Sequence, residues 1–150
     1  MDNKIALTAP QKRFLSSCLI SFEKSLRLTE RLLKEDGETG ILYFMKQPLS
    51  AGVRQKAQKR INKVLQELDN LVEKLDLEPI EEHMERIIMA ELSVSWADLM
   101  DARSKRLRGY GDIDPRIVEI LDPGIESLSR AAMELNQLIL SDMEDAPYEE

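Results

Sequence analysis

Apolar residues recur along this chain at intervals of three and four. Leu15, Leu19, Phe22, Leu26, Thr29 and Leu33 form one such line, with one threonine among its hydrophobes. Ala57, Ile61, Val64, Leu68, Leu71 and Leu75 form a second, and Leu121, Ile125, Leu128, Ala132, Leu135 and Ile139 a third. At about 100° per residue this spacing gathers each set onto one face of an α-helix.

Capping residues set the expected ends. Thr8 with Gln11 three positions later is a capping box, and Pro10 falls in the first turn, where its missing N–H costs little. Gly37 and Gly40 end this first helix, and Ser50 caps the second. The stretch Asp76-Leu77-Glu78-Pro79 leaves room for a tight turn only. A third helix is expected from about Pro79 to Arg108, stopping at Gly109, with Arg103, Lys105, Arg106 and Arg108 complementing the negative end of its dipole. Asp114-Pro115 and Asp122-Pro123 each read as an N-cap followed by a first helical residue. They predict a short helix to Leu121, a break, and a fourth helix fading near Met143.

Short links between antiparallel helices give the expected fold: all-α, an antiparallel up-down-up-down four-helix bundle with a short extra helix before helix four. The 150 residues suit one domain over 1–150, with a flexible 1–8 and an acidic tail at 144–150. The 37–49 segment is too apolar to lie free in water. It is expected to fold over one end of the bundle or to serve as a crossover.

Composition agrees with this and narrows the function classes. Charged residues make up 33% and aromatics 5%, the balance of long helices with charged outer faces and aliphatic cores. A formal net charge of −7 disfavours nucleic acid and anionic membrane as general partners. No stretch reaches the ~20 apolar residues of a membrane span, and no secretory pattern opens the chain. The single cysteine, Cys18, sits at an apolar helical position, which suits a buried thiol in a reducing, cytoplasmic setting.

No phosphate loop, nucleophile elbow, Cys-x-x-Cys or His-Glu-x-x-His occurs, so no catalytic residue, metal ligand set or cofactor is assigned. The one histidine, His83, stands among Glu81, Glu82 and Glu85, whose charges would repel a phosphoryl group. On helix three, the face of Ile80, Met84, Ile87 and Ile88 continues through Glu91, Ser95 and Asp98. If it points inward, it would place carboxylates at a polar seam or ligand site. If Leu92, Trp96 and Leu99 take over burial instead, Glu91 and Asp98 lie at the wet edge.

An up-down bundle would also bring positions 54 to 60 opposite 97 to 103. That pole would collect Arg54, Arg103, Arg106 and Arg108 with Tyr43, Phe44 and Tyr110 from two loops. The expectation is a non-enzymatic interaction protein that binds a protein partner, or itself as a homodimer, through this basic and aromatic pole. The alternative is a ligand- or metal-binding bundle using Glu91, Ser95 and Asp98.

Overall fold

The computed structural model describes residues 6–35 and 37–145; the expectations for residues 1–5 and 146–150 lie outside the described residues. The chain is all-α, in the order α1 (Ala9–Lys34), α2 (Ala51–Lys74), α3 (Met84–Asp101), α4 (Ser104–Leu107), a 3-10 turn (Arg108–Tyr110) and α5 (Pro115–Asp145). Among the described residues the only extended pairing is one antiparallel bridge between Thr39 and Phe44. The helices fall into two compact units, Met1–Ile80 and Glu81–Glu150.

In the first unit, α1 opens on the expected capping box. Thr8 Oγ1 accepts from the Gln11 amide at 3.3 Å, and Gln11 Oε1 accepts from the Thr8 amide at 2.9 Å. Ser50 caps α2 by accepting from the Val53 amide. Past Lys74, the Leu77 amide donates to Val72 O at 3.0 Å while Asp76 takes the left-handed backbone, φ 53°, that a glycine would usually supply. Lys12 Nζ, near the start of α1, donates to Asp76 O at 3.1 Å; Glu30, near the other end of α1, accepts from Gln58 Nε2 at 2.8 Å. These two ties make α1 and α2 an antiparallel hairpin.

The facing positions differ from the expected lines by single steps. Leu15, Leu19, Leu26 and Leu33 face inward, but Glu23 and Glu30 occupy the places given to Phe22 and Thr29, which are exposed. Glu30 can lie there because Gln58 and the nearby Arg27 and Lys34 hold its carboxylate. In α2, Val72 replaces Leu71, and Ile61 is the deepest residue, 6% exposed.

In the second unit, α3 starts at Met84, not Pro79, and ends at Asp101, not Arg108. The break at Ala102–Arg103 has a polar cause: Asp122 of α5 accepts from the Ser104 amide at 2.9 Å and from its hydroxyl at 2.7 Å, starting a new short helix there. Asp122 therefore caps α4 rather than a segment of its own, and the break expected at Asp122-Pro123 does not occur. α5 runs unbroken through Pro123, which forfeits its amide bond to the preceding turn. The extra short helix is thus α4, and the expected helix to Leu121 is the first part of α5. Asp114 does cap α5, accepting from the Arg116 amide at 2.9 Å, and the positive φ falls at Gly111 rather than Gly109.

α3 and α5 are antiparallel as well. Ser104, just past α3, meets Asp122 near the start of α5, whereas Asn136 far along α5 donates to Met89 O at 3.4 Å. The inward line of α5 is Val118, Leu121, Ile125, Ser129, Ala132, Asn136 and Ile139; Leu128 and Leu135 lie outside it. Each unit is a hairpin with a thin core. Among the described residues only Leu33, Ile61, Ile125 and Ala132 are buried hydrophobes.

Candidate functional site

The 37–49 segment is a built loop. Gly37 adopts φ +102°, and a side chain there would collide with the Met45 carbonyl. The Gly40 amide donates to Tyr43 O and the Met45 amide to Glu38 O, both at 2.8 Å, and the Tyr43 ring lies so close over Gly40 that a Cβ would strike it. Gln47 anchors the loop by donating to Leu32 O at 3.0 Å, and Met45 and Leu49 line a hollow with Thr29, Leu32 and Leu33. The segment is therefore local to its own hairpin.

Its apolar tip does not fold over the helices. Ile41 and Leu42 are 102% and 96% exposed, and Tyr43 and Phe44 are more than half exposed. The Gly40–Tyr43 bond and the Thr39–Phe44 bridge pair the two arms of the loop and leave Ile41 and Leu42 at its exposed tip. Lys46 Nζ stands 5.8 Å from the Phe44 ring centroid. Arg54, in the first turn of α2, is half-buried beside Leu33 and Gln58, with its Nε buried and without a hydrogen-bond partner.

The remaining basic residues belong to the second unit. Arg103 precedes α4 and directs Nη2 at Met100 Sδ, 3.3 Å away. Arg106 and Arg108 are exposed, Arg106 lying 3.9 Å from Asp101, and Tyr110 is 85% exposed. The Ser104 amide and hydroxyl hold the Asp122 carboxyl below its ordinary pKa, and the charges of Arg103 and Arg108 act in the same direction. Asp114 is likewise held low by its bonds with the Arg116 guanidinium and amide. The negative charge of Asp122 therefore tempers the positive field of this segment.

Glu91, Ser95 and Asp98 are all exposed. α3 is apolar on two sides, and the side that packs is the neighbouring line of Met89, Leu92 and Leu99, with Trp96 at its edge. Of the two placements open from the sequence, the inward one is not taken, and Glu91 and Asp98 lie on the exposed side. Glu91 and Asp98 stand about 10 Å apart along the axis, and no group of three or more His, Cys, Asp or Glu among the described residues could hold a metal. Cys18 is exposed rather than buried.

Two features escaped the sequence reading. The Ser104–Asp122 joint did, because Asp122-Pro123 looks locally like a helix start. So did the outward turn at Ile41 and Leu42, where the signal was the pair of flanking glycines. No helix among the described residues is long and apolar enough to cross a membrane. The sequence matches no family model, and no match appears among curated proteins or solved structures.

Proposed function

We propose that the chain is a non-enzymatic helical interaction protein that captures a protein partner through exposed apolar and basic segments, the turn at Ile41–Phe44 foremost. The observation that supports this reading is the combination of a constrained backbone and an uncovered apolar tip. Glycine packing, a bridge and side-chain anchors hold the turn, so presenting four apolar side chains costs little further ordering when a partner binds. Contiguous exposed hydrophobes rimmed by polar residues mark interaction sites more often than they mark ordinary surface.

Arg106, Arg108 and Tyr110 are the second part of the proposal, contributing charge steering and an aromatic anchor from their own unit. A reducing, cytoplasmic setting belongs to the same reading, supported by the lone thiol of Cys18. The metal or ligand alternative at Glu91, Ser95 and Asp98 draws no support from side chains that are exposed and do not converge.

The test uses the full chain as bait in cell extract. Ile41→Glu with Leu42→Glu, and separately Arg106→Glu with Arg108→Glu, should keep the helical circular dichroism of the parent. The first pair should abolish capture of the proteins the parent retains, and the second should weaken it in a salt-dependent way. Capture that survives both pairs unchanged removes the proposal.

A further inference from the structure

α3 and α4 are one helical run interrupted at one residue. No glycine or proline stands between Met84 and Arg108. At the break, Ala102 has φ −84° and ψ 14°, close to helical values, and Leu107 and Arg108 at the far end of α4 are helical; Arg103 is extended, with φ −74° and ψ 161°. The φ of Arg103 already suits a helix. Turning its ψ to about −42°, with a smaller adjustment at Ala102, would join the two pieces.

The local sequence does little to favour the break. Arg103 supplies no side-chain cap to α4, and its own guanidinium is left with Nε buried without a hydrogen-bond partner and Nη2 against Met100 Sδ. A continuous helix suits the same residues. It would set Asp101 four positions before Lys105, the favourable order for an ion pair. It would also gather Arg103, Lys105, Arg106 and Arg108 in the last turns before Gly109, where the helix dipole favours cations.

What holds the break comes from α5. In a continuous helix the Ser104 amide donates to Met100 O. Here it donates to one Asp122 carboxylate oxygen at 2.9 Å, while the Ser104 hydroxyl donates to the other at 2.7 Å. Ser104 is only 5% exposed, so both bonds lie largely out of water, and bonds to an ionised carboxylate are the stronger kind. One amide thus has two good acceptors. A rotation at one residue separates them, and a carboxylate 18 residues away selects between them.

We propose that Ser104–Asp122 is a latch on a single-residue hinge: joined, it holds α3 and α4 apart; released, it lets them fuse into one helix reaching Arg108. Fusion carries Arg108 to about 10 Å past Asp101 along the axis of α3 and re-aims Arg106 and Tyr110 with it. A ligand of this basic segment that fits only the fused helix would draw the latch open by its differential affinity. The inference lies within the second unit and does not rest on what this segment or the Ile41–Phe44 turn binds.

Nuclear magnetic resonance on the full chain tests it. In the parent, the Cα shift of Arg103 should fall on the extended side of its random-coil value. Asp122→Ala removes both bonds and should move that shift to the helical side, giving helical Cα shifts without interruption from Met84 to Arg108. The Ser104 amide should still exchange at least tenfold more slowly than an unstructured amide, since Met100 O replaces the carboxylate. Ser104→Ala removes the hydroxyl bond alone and should move Arg103 part of the way; it decides the matter if Asp122→Ala costs the unit its fold. Ser104→Pro has no amide to give Met100 and drives the preceding residue out of helical backbone. In that background Asp122→Ala should leave Arg103 extended. An Arg103 that stays extended once the latch is removed overturns the proposal. So does a 103–108 segment that loses protection and moves to coil shifts, the result expected if the joint merely pins a loose end.

Discussion

Ile125→Ala and Leu128→Ala, three residues apart on one helix, should differ sharply in cost. Ile125 is 9% exposed and sits mid-way along the inward line of α5, whereas Leu128 is 57% exposed. Removing three carbons from Ile125 forfeits about 0.8 kcal/mol each, or about 2.4 kcal/mol. A hairpin core opens to solvent and encloses little cavity, so the total should stay near 2.5 kcal/mol, at the low end for such substitutions. Leu128 keeps less than half of its surface out of water and should cost about 1 kcal/mol or less. Trp96 is the only tryptophan and lines a hollow of the same unit with Met133 and Asn136, so its fluorescence reports this unit directly. Urea melts followed by that signal should show the large shift for Ile125→Ala at every protein concentration. For Leu128→Ala, the shift should be less than about half as large. If Leu128→Ala costs as much as Ile125→Ala in dilute protein, the assignment of the inward line is wrong.

Three further outcomes follow from the joints and candidate sites. Asp122 has a lowered pKa in the folded chain, so the stability it contributes is fully present above the unfolded carboxylate value near 3.9 and is lost as pH falls through the folded value. The melting gap between the parent and Asp122→Asn should therefore be widest at pH 7 and close below about pH 4; a gap independent of pH would refute the role given to its charge. Gly40→Ala should push the Tyr43 ring aside and speed exchange of the Met45 amide at least tenfold, with helical dichroism retained, as hydrogen exchange would register. Glu91→Gln with Asp98→Asn should leave melting in divalent cations identical to the parent, and a parent-specific upward shift would revive the ligand reading.

The sequence conveyed the helices better than their faces. Thr8, Ser50 and Asp114 acted as caps because a cap is a local bond between neighbours, visible in a window of four residues. Leu128 and Leu135 were assigned to the wrong line because α5 has two apolar lines, and periodicity alone does not say which one meets α3. The placement of Glu91 and Asp98 stayed open for the same reason on α3, where Leu92 and Leu99 take the packed side and leave them exposed. Asp122 was read as the start of a helix, yet its partner is Ser104, 18 residues away. The turn at Ile41 and Leu42 was read as covered because hydrophobic residues usually are. Its glycine-held backbone, a matter of three-dimensional closure, keeps it in solvent.

The most direct test of the central claim, that the exposed apolar turn is a binding surface and not part of the core, is the double substitution Ile41→Glu with Leu42→Glu, examined in one sample for stability and for capture. The account predicts an unchanged thermal midpoint together with loss of the proteins held by the parent chain. A lowered midpoint with capture intact would mean that the turn serves the fold, and would contradict it.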